Sequence, residues 1–198
     1  MPLRNPLAEL RDAVAAGRDQ YDLRLASPNF HRLAAYAYVA EQFGYRYMGA
    51  APGTSTLNQP LLVFRRAEDL RARAAETLAR YPHFAEGGPL PGMAPGKGLH
   101  PSGEAKGEVS LLHSRLVVDA ARRYSRRVLR NLVSVLVLMA IVLFFPGYTV
   151  QHVLVAGGIW LGLFALYLIG LVVSRLRLAK HGARLAAAGI SWPPSGEA

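Results

Sequence analysis

Six histidines, His31, His83, His100, His113, His152 and His181, are the side chains best able to ligate a metal or shuttle a proton. None forms the H-x-x-x-H or H-E-x-x-H pair that sets two imidazoles on one face of a helix, so no metal centre is expected. The chain has no cysteine, which removes disulfides, zinc-thiolate sites, iron–sulfur ligation and thiol nucleophiles together. The loop Gly49-Ala50-Ala51-Pro52-Gly53-Thr54-Ser55-Thr56 is rich in glycine and hydroxyls. It lacks the G-x-x-x-x-G-K-[ST] spacing and the lysine that would reach a phosphate, and it reads as a hairpin connection.

Glu9, Asp12, Asp19 and Asp22 could pair for acid–base work, but they alternate with Arg11, Arg18 and Arg24 as on a solvated surface. Ser110, His113 and Ser114 sit on an amphipathic helical stretch without the sharp G-x-S-x-G turn that exposes a nucleophilic serine. Tyr36, Tyr38, Tyr45 and Tyr47 with Arg46, Arg65 and Arg66 mimic an aromatic and basic nucleic-acid surface. Half of these tyrosines fall at predicted core positions and the region is nearly neutral, so nucleic acid is not an expected partner. No catalytic residue and no cofactor is expected.

The formal net charge of +10 is unevenly placed. Residues 1–90 carry a net +2, whereas residues 108–198 carry +7, in the half that also holds the apolar runs. Arginine outnumbers lysine by 20 to 3, the usage GC-rich codons produce, which points to a bacterial source. The N-terminal stretch Met1-Pro2-Leu3-Arg4-Asn5-Pro6 has no apolar core of about 7–15 residues, so a secretory signal is not expected there.

Residues 153–173 (VLVAGGIWLGLFALYLIGLVV) contain no charge, and at about 1.5 Å per residue a helix of this length covers a hydrocarbon core of about 30 Å. An earlier run, 128–146, matches it if Arg130 and Asn131 lie at the headgroups, where an arginine can snorkel. The uncharged connection between the runs, with its Pro146-Gly147 turn signal, is short enough to join only antiparallel neighbours. Arg122, Arg123, Arg126, Arg127 and Arg130 precede the first run; Arg175, Arg177 and Lys180 follow the second. By the positive-inside rule both flanks are cytoplasmic and the short loop is outside. These eight cations are the candidate contacts to anionic headgroups. Gly158, Gly162 and Ala165 give the second run a face on which another helix could approach closely, either the first run or a second molecule. Neither run contains Asp, Glu, Lys or His, which argues against a solitary ion-coupled transporter.

The elements around the hairpin follow from caps and periodicity. Asn5-Pro6 opens a helix with Leu7, Leu10 and Val14 on one face; Leu33, Tyr36, Ala40 and Phe43 line a second that stops at Gly44. Runs 45–48 and 61–64 read as strands, and Leu70, Ala74, Leu78 and Tyr81 as a third helix. The fold class is therefore a membrane α-helical protein, a two-span transmembrane hairpin with a small N-terminal α+β cytoplasmic domain over residues 1–82. Residues 83–107, dense in Gly and Pro, read as a flexible linker. A basic amphipathic helix follows at 108–127, spans at 128–146 and 153–173, and a basic helix and tail at 174–198.

This organisation, without recognisable chemistry, suggests a cell-membrane interaction or scaffold protein that shows its cytoplasmic domain to a protein partner. Two alternatives are an oligomeric, channel-like or membrane-permeabilising protein formed by self-association, and an accessory subunit of a membrane enzyme. The hairpin alone, common to many unrelated proteins, carries no function.

Overall fold

The computed structural model describes residues 5–24, 29–51, 61–144 and 149–190. It divides into two compact units, Met1–Leu116 and Val117–Ala198. The first unit begins with α1 (Pro6–Ala15), whose N-cap Asn5 accepts the Leu7 N–H at 3.2 Å. Strand β1 (Gln20–Arg24) follows, then α2 (Phe30–Gln42), capped by Asn29 on the N–H groups of His31 and Arg32. In both caps the side-chain oxygen takes a donor that the first helical turn leaves unpaired. Strands β2 (Tyr45–Ala50) and β3 (Leu61–Arg66) and helix α3 (Arg71–Arg80) complete the sequence of elements before α4 (Lys106–Phe144). Gly44 ends α2 at φ +88°, and a Cβ there would stand 3.1 Å from the Ala74 Cβ, so glycine serves both the turn and the close approach of α3.

The sheet has three antiparallel strands in the order β1-β3-β2, where the sequence pattern predicts two. Tyr21 lies opposite Phe64 and Leu23 opposite Leu62, which extends the buried face of β3 sideways. Asp22 stays on the exposed face, as its polar neighbourhood implies, while Tyr21 and Leu23 turn inward. The third strand removes the weakness of a two-stranded ribbon.

Aromatic rings fill the core between this sheet and the helices. Phe64 stacks on Tyr21 at 5.1 Å between centroids, with Tyr36 edge-on at 5.5 Å and Tyr47 at 5.7 Å. The phenols are paired rather than orphaned: the Tyr45 hydroxyl lies 2.9 Å from the Ala13 carbonyl and 2.7 Å from that of Arg18, and Tyr36 bonds Tyr21 at 3.1 Å. A buried phenol that found no partner would cost more than its ring gains.

Residues 83–105 are seated on this core instead of forming the expected flexible linker. Phe84 is 1% exposed and stacks on Phe43 at 3.9 Å; Met93 and Ala105 are also buried. A Met93–Pro101 bridge and the bonds Ala94 N to His100 O (2.8 Å) and Ser102 N to Gly92 O (2.9 Å) fold the stretch back on itself. Its glycines serve turns, since Gly87, Gly92, Gly96 and Gly98 all have positive φ. Three apolar anchors spaced among turn residues hold a loop that composition alone reads as a tether.

The first three turns of α4 belong to the same unit. Val109, Leu112 and Leu116 are buried, Arg73 pairs with Glu108 at 3.7 Å and Arg115 with Glu41 at 3.6 Å. Burial pushes the Glu41 carboxyl above its usual range, and the pull of Arg115, Arg46 and Arg73 only partly offsets it. The native state therefore holds the Glu41 proton to higher pH than the unfolded chain. Its contribution is most favourable below the ordinary carboxylate pKa and is lost as pH rises through the raised value.

An asymmetry between the two partners follows. Arg115→Met should destabilise the unit by about 3 kcal/mol at neutral pH, because it leaves a desolvated carboxylate alone, whereas Glu41→Gln should cost less than about 1 kcal/mol. In thermal unfolding followed by circular dichroism, the Arg115→Met deficit should shrink on acidification, when Glu41 takes up its proton. A deficit that is equal for both variants, or independent of pH, would show that the pair does not act this way.

Candidate membrane-anchoring helices

The second unit contains the remainder of α4 and α5 (Val150–Ala187). Among the described residues one helix is long and apolar enough to cross a membrane, Leu154–Ala187, which contains an 18-residue stretch with a mean hydropathy of 2.2 and no buried residue. Leu154, Leu161, Leu166 and Ile169 each expose more than half of their surface. A soluble monomer does not leave so continuous an apolar surface in water.

Exposure varies systematically around α5. The less exposed positions Trp160, Phe164, Tyr167, Leu171, Ser174, Leu178, His181 and Leu185 follow a regular alternation of four and three residues, the spacing that keeps one seam facing a neighbouring helix. Trp160 stacks on Phe164 at 5.2 Å and Phe164 lies 6.2 Å from Tyr167, so the upper part of the seam is an aromatic ladder. At its middle the Ser174 hydroxyl donates to the Ala121 carbonyl at 3.1 Å, in a buried position. Val118, Ala121 and Val135 are the corresponding sheltered positions on α4. The midpoint between residues 121 and 174 falls in the segment joining the two helices, the symmetry of an antiparallel pair.

Gly158, Gly162 and Ala165 lie two positions back from that seam, about 200° around the helix, and all three are exposed. Among the described residues a Cβ at Gly158 or Gly162 would meet nothing within 4 Å.

Of the candidate headgroup contacts, Arg122 on α4 and Arg175, Arg177 and Lys180 on α5 are exposed. Arg123, Arg126, Arg127 and Arg130 lie within α4, and their side chains are outside the described residues. The earlier apolar run is helical to Phe144, with Val133, Val137, Leu138 and Ile141 each more than half exposed, but the remainder of that run and the connection 145–148 are outside the described residues. So are the Trp192-Pro193-Pro194 tail and most of the loop that superficially suggests a phosphate site.

The groups with side chains suited to chemistry are engaged locally. Glu9 faces Arg18 at 3.8 Å, Asp22 accepts from Gln20 at 3.3 Å, and the Ser114 hydroxyl is spent on the Ser110 carbonyl of its own helix at 3.0 Å. Among the described residues no group of three or more His, Asp or Glu is placed to hold a metal ion. One juxtaposition escapes sequence reasoning: His31 of α2 and His113 of α4 stack with centroids 4.1 Å apart and planes 10° from parallel. Ser174 escapes it too, although a lone hydroxyl between Val173 and Arg175 at a seam position is a legible signal.

No family model matches the chain, and neither a curated protein nor a solved structure matches it.

Proposed function

We propose that this is an integral membrane protein, anchored by a two-span helical hairpin with both ends in the cytoplasm, that presents its α+β unit to a protein partner. The observation that carries the membrane assignment is α5, whose apolar window has no part of it buried. Supporting the second span are the exposed apolar side chains of α4 up to Ile141 and the Ser174–Ala121 bond that sets α4 beside α5. Cations flanking the two runs and an uncharged connection support the orientation.

The scaffold reading rests on the α+β unit having an aromatic core of its own and no assembled catalytic constellation among the described residues. A specific observation favours a second reading, a homo-oligomer: Gly158, Gly162 and Ala165 are exposed together on one face of α5, across the helix from the half-buried Trp160, Phe164 and Tyr167. One experiment separates the two. The full chain and a form beginning at Lys106 are purified in mild detergent from the same host, sized, and their companions identified. The scaffold reading expects a second protein that accompanies the full chain and is lost from the shortened one, with both forms still in the membrane fraction. A single homogeneous homo-oligomer of either form would move the assignment to the second reading.

A further inference from the structure

A half-open cavity of about 400 Å³ lies in the α+β unit between the starts of α1 and α2, in the range of about 300–1,000 Å³ typical of small-molecule sites. Its walls are apolar, formed by Leu7, Leu23, Leu33 and Leu99. Four polar side chains interrupt them, the Arg32 guanidinium, the Tyr36 phenol and the amides of Asn5 and Asn29.

The Arg32 guanidinium has unused donors. Arg32 is exposed and, among the described residues, its side chain makes no ion pair or hydrogen bond; only its backbone N–H is taken, by Asn29. Tyr36 and Tyr21 are 2% and 3% exposed, and their hydroxyls bond only each other among the described residues. The Tyr36 hydroxyl donates to the Tyr21 oxygen at 3.1 Å, and reversing that bond, so that Tyr21 donates to Tyr36, would free the Tyr36 O–H for a cavity ligand. Burial holds both phenols in the protonated, donating form. The N-termini of α1 and α2, with Asn5 and Asn29 on the cavity wall, add positive potential without being the binding groups themselves.

We propose that this cavity binds a small organic carboxylate with an apolar body, its carboxylate held by Arg32 and Tyr36 and its hydrocarbon part against the four leucines. A planar carboxylate matches the guanidinium fork, and one cation with one phenol suits a single negative charge better than a phosphate dianion. An uncharged apolar molecule would leave both donors desolvated and unpaired, which works against it.

The test uses the full chain in nanodiscs of zwitterionic lipid, so that micelles do not take up the probe. Radiolabelled octanoate is equilibrated by dialysis against these discs and against empty ones. Saturable binding above the empty discs is expected, reduced about tenfold or more by Arg32→Gln, which keeps the side-chain length but removes the charge. Leu99→Trp, which fills the cavity from a loop, should abolish it. Octanol and acetate, each carrying half of the proposed chemistry, should compete at least about tenfold more weakly than unlabelled octanoate. Equal binding to empty and loaded discs, or binding indifferent to Arg32→Gln, would overturn the proposal. Acetate competing as well as octanoate would overturn the apolar half of it.

Discussion

Replacing Phe84 with alanine should cost the α+β unit about 3–5 kcal/mol, the range for deleting a fully buried aromatic ring. The ring is 1% exposed, stacks on Phe43 at 3.9 Å with 25° between planes, and has the Arg11 guanidinium 5.6 Å from its centroid. All three interactions are lost at once, and the cavity opens under a loop whose other anchors, Met93 and Ala105, are small in number. Because a domain is stabilised by only about 5–15 kcal/mol in total, such a loss should also loosen residues 83–105 enough to admit a protease. Denaturant unfolding followed by circular dichroism, together with limited proteolysis, reads both effects. Were this segment a solvated tether, the substitution would stay within about 0.5 kcal/mol and the cleavage pattern would not change.

That segment marks the boundary of what the sequence makes legible. Helix α1 announces itself through Asn5-Pro6, α2 through the spacing of Leu33, Tyr36, Ala40 and Phe43 before Gly44, and β2 and β3 through runs of strand formers, because each signal is local, whereas the Asn29 cap of α2 shows only in the structure. Strand β1 is harder: it has only Tyr21 and Leu23 to bury, and three polar residues around them read equally well as surface. Its alternation becomes meaningful only once β3 supplies a partner at Phe64 and Leu62, some forty residues away. The Phe84 anchor fails to show for the same reason, since one aromatic among Gly and Pro has no period, and its partner Phe43 is distant in the chain.

The candidate site divides in the same way. The uncharged run 153–173 and its flanking cations are legible because the membrane imposes its requirement residue by residue. Which side of α5 faces α4 is a pairwise question. The GxxxG spacing leaves its partner open, whereas the less exposed alternation from Trp160 through Ser174 to Leu185, with the Ser174–Ala121 bond at 3.1 Å, becomes visible only in the folded chain. The pairs Glu41–Arg115 and His31–His113 bring α2 against α4 across more than seventy residues, beyond the reach of any motif.

The second large effect concerns topology, and the chain is well suited to reading it because it contains no cysteine. Single cysteines placed at exposed positions report the side of the membrane on which each lies. Glu104→Cys precedes α4, Gln151→Cys lies in the first turn of α5 beside the connection, and Ala183→Cys lies near the end of α5. The positive-inside arrangement puts the first and last in the cytoplasm and the middle one outside. The contrast should be close to all-or-none, since a charged thiol reagent does not cross the hydrocarbon core.

The decisive measurement is therefore labelling of these three variants in intact cells by a membrane-impermeant maleimide, repeated after the membrane is opened. The hairpin account predicts that Gln151→Cys reacts in intact cells while Glu104→Cys and Ala183→Cys react only after opening. Labelling of Gln151→Cys and Ala183→Cys from the same side would contradict it, because α5 would then not cross the membrane.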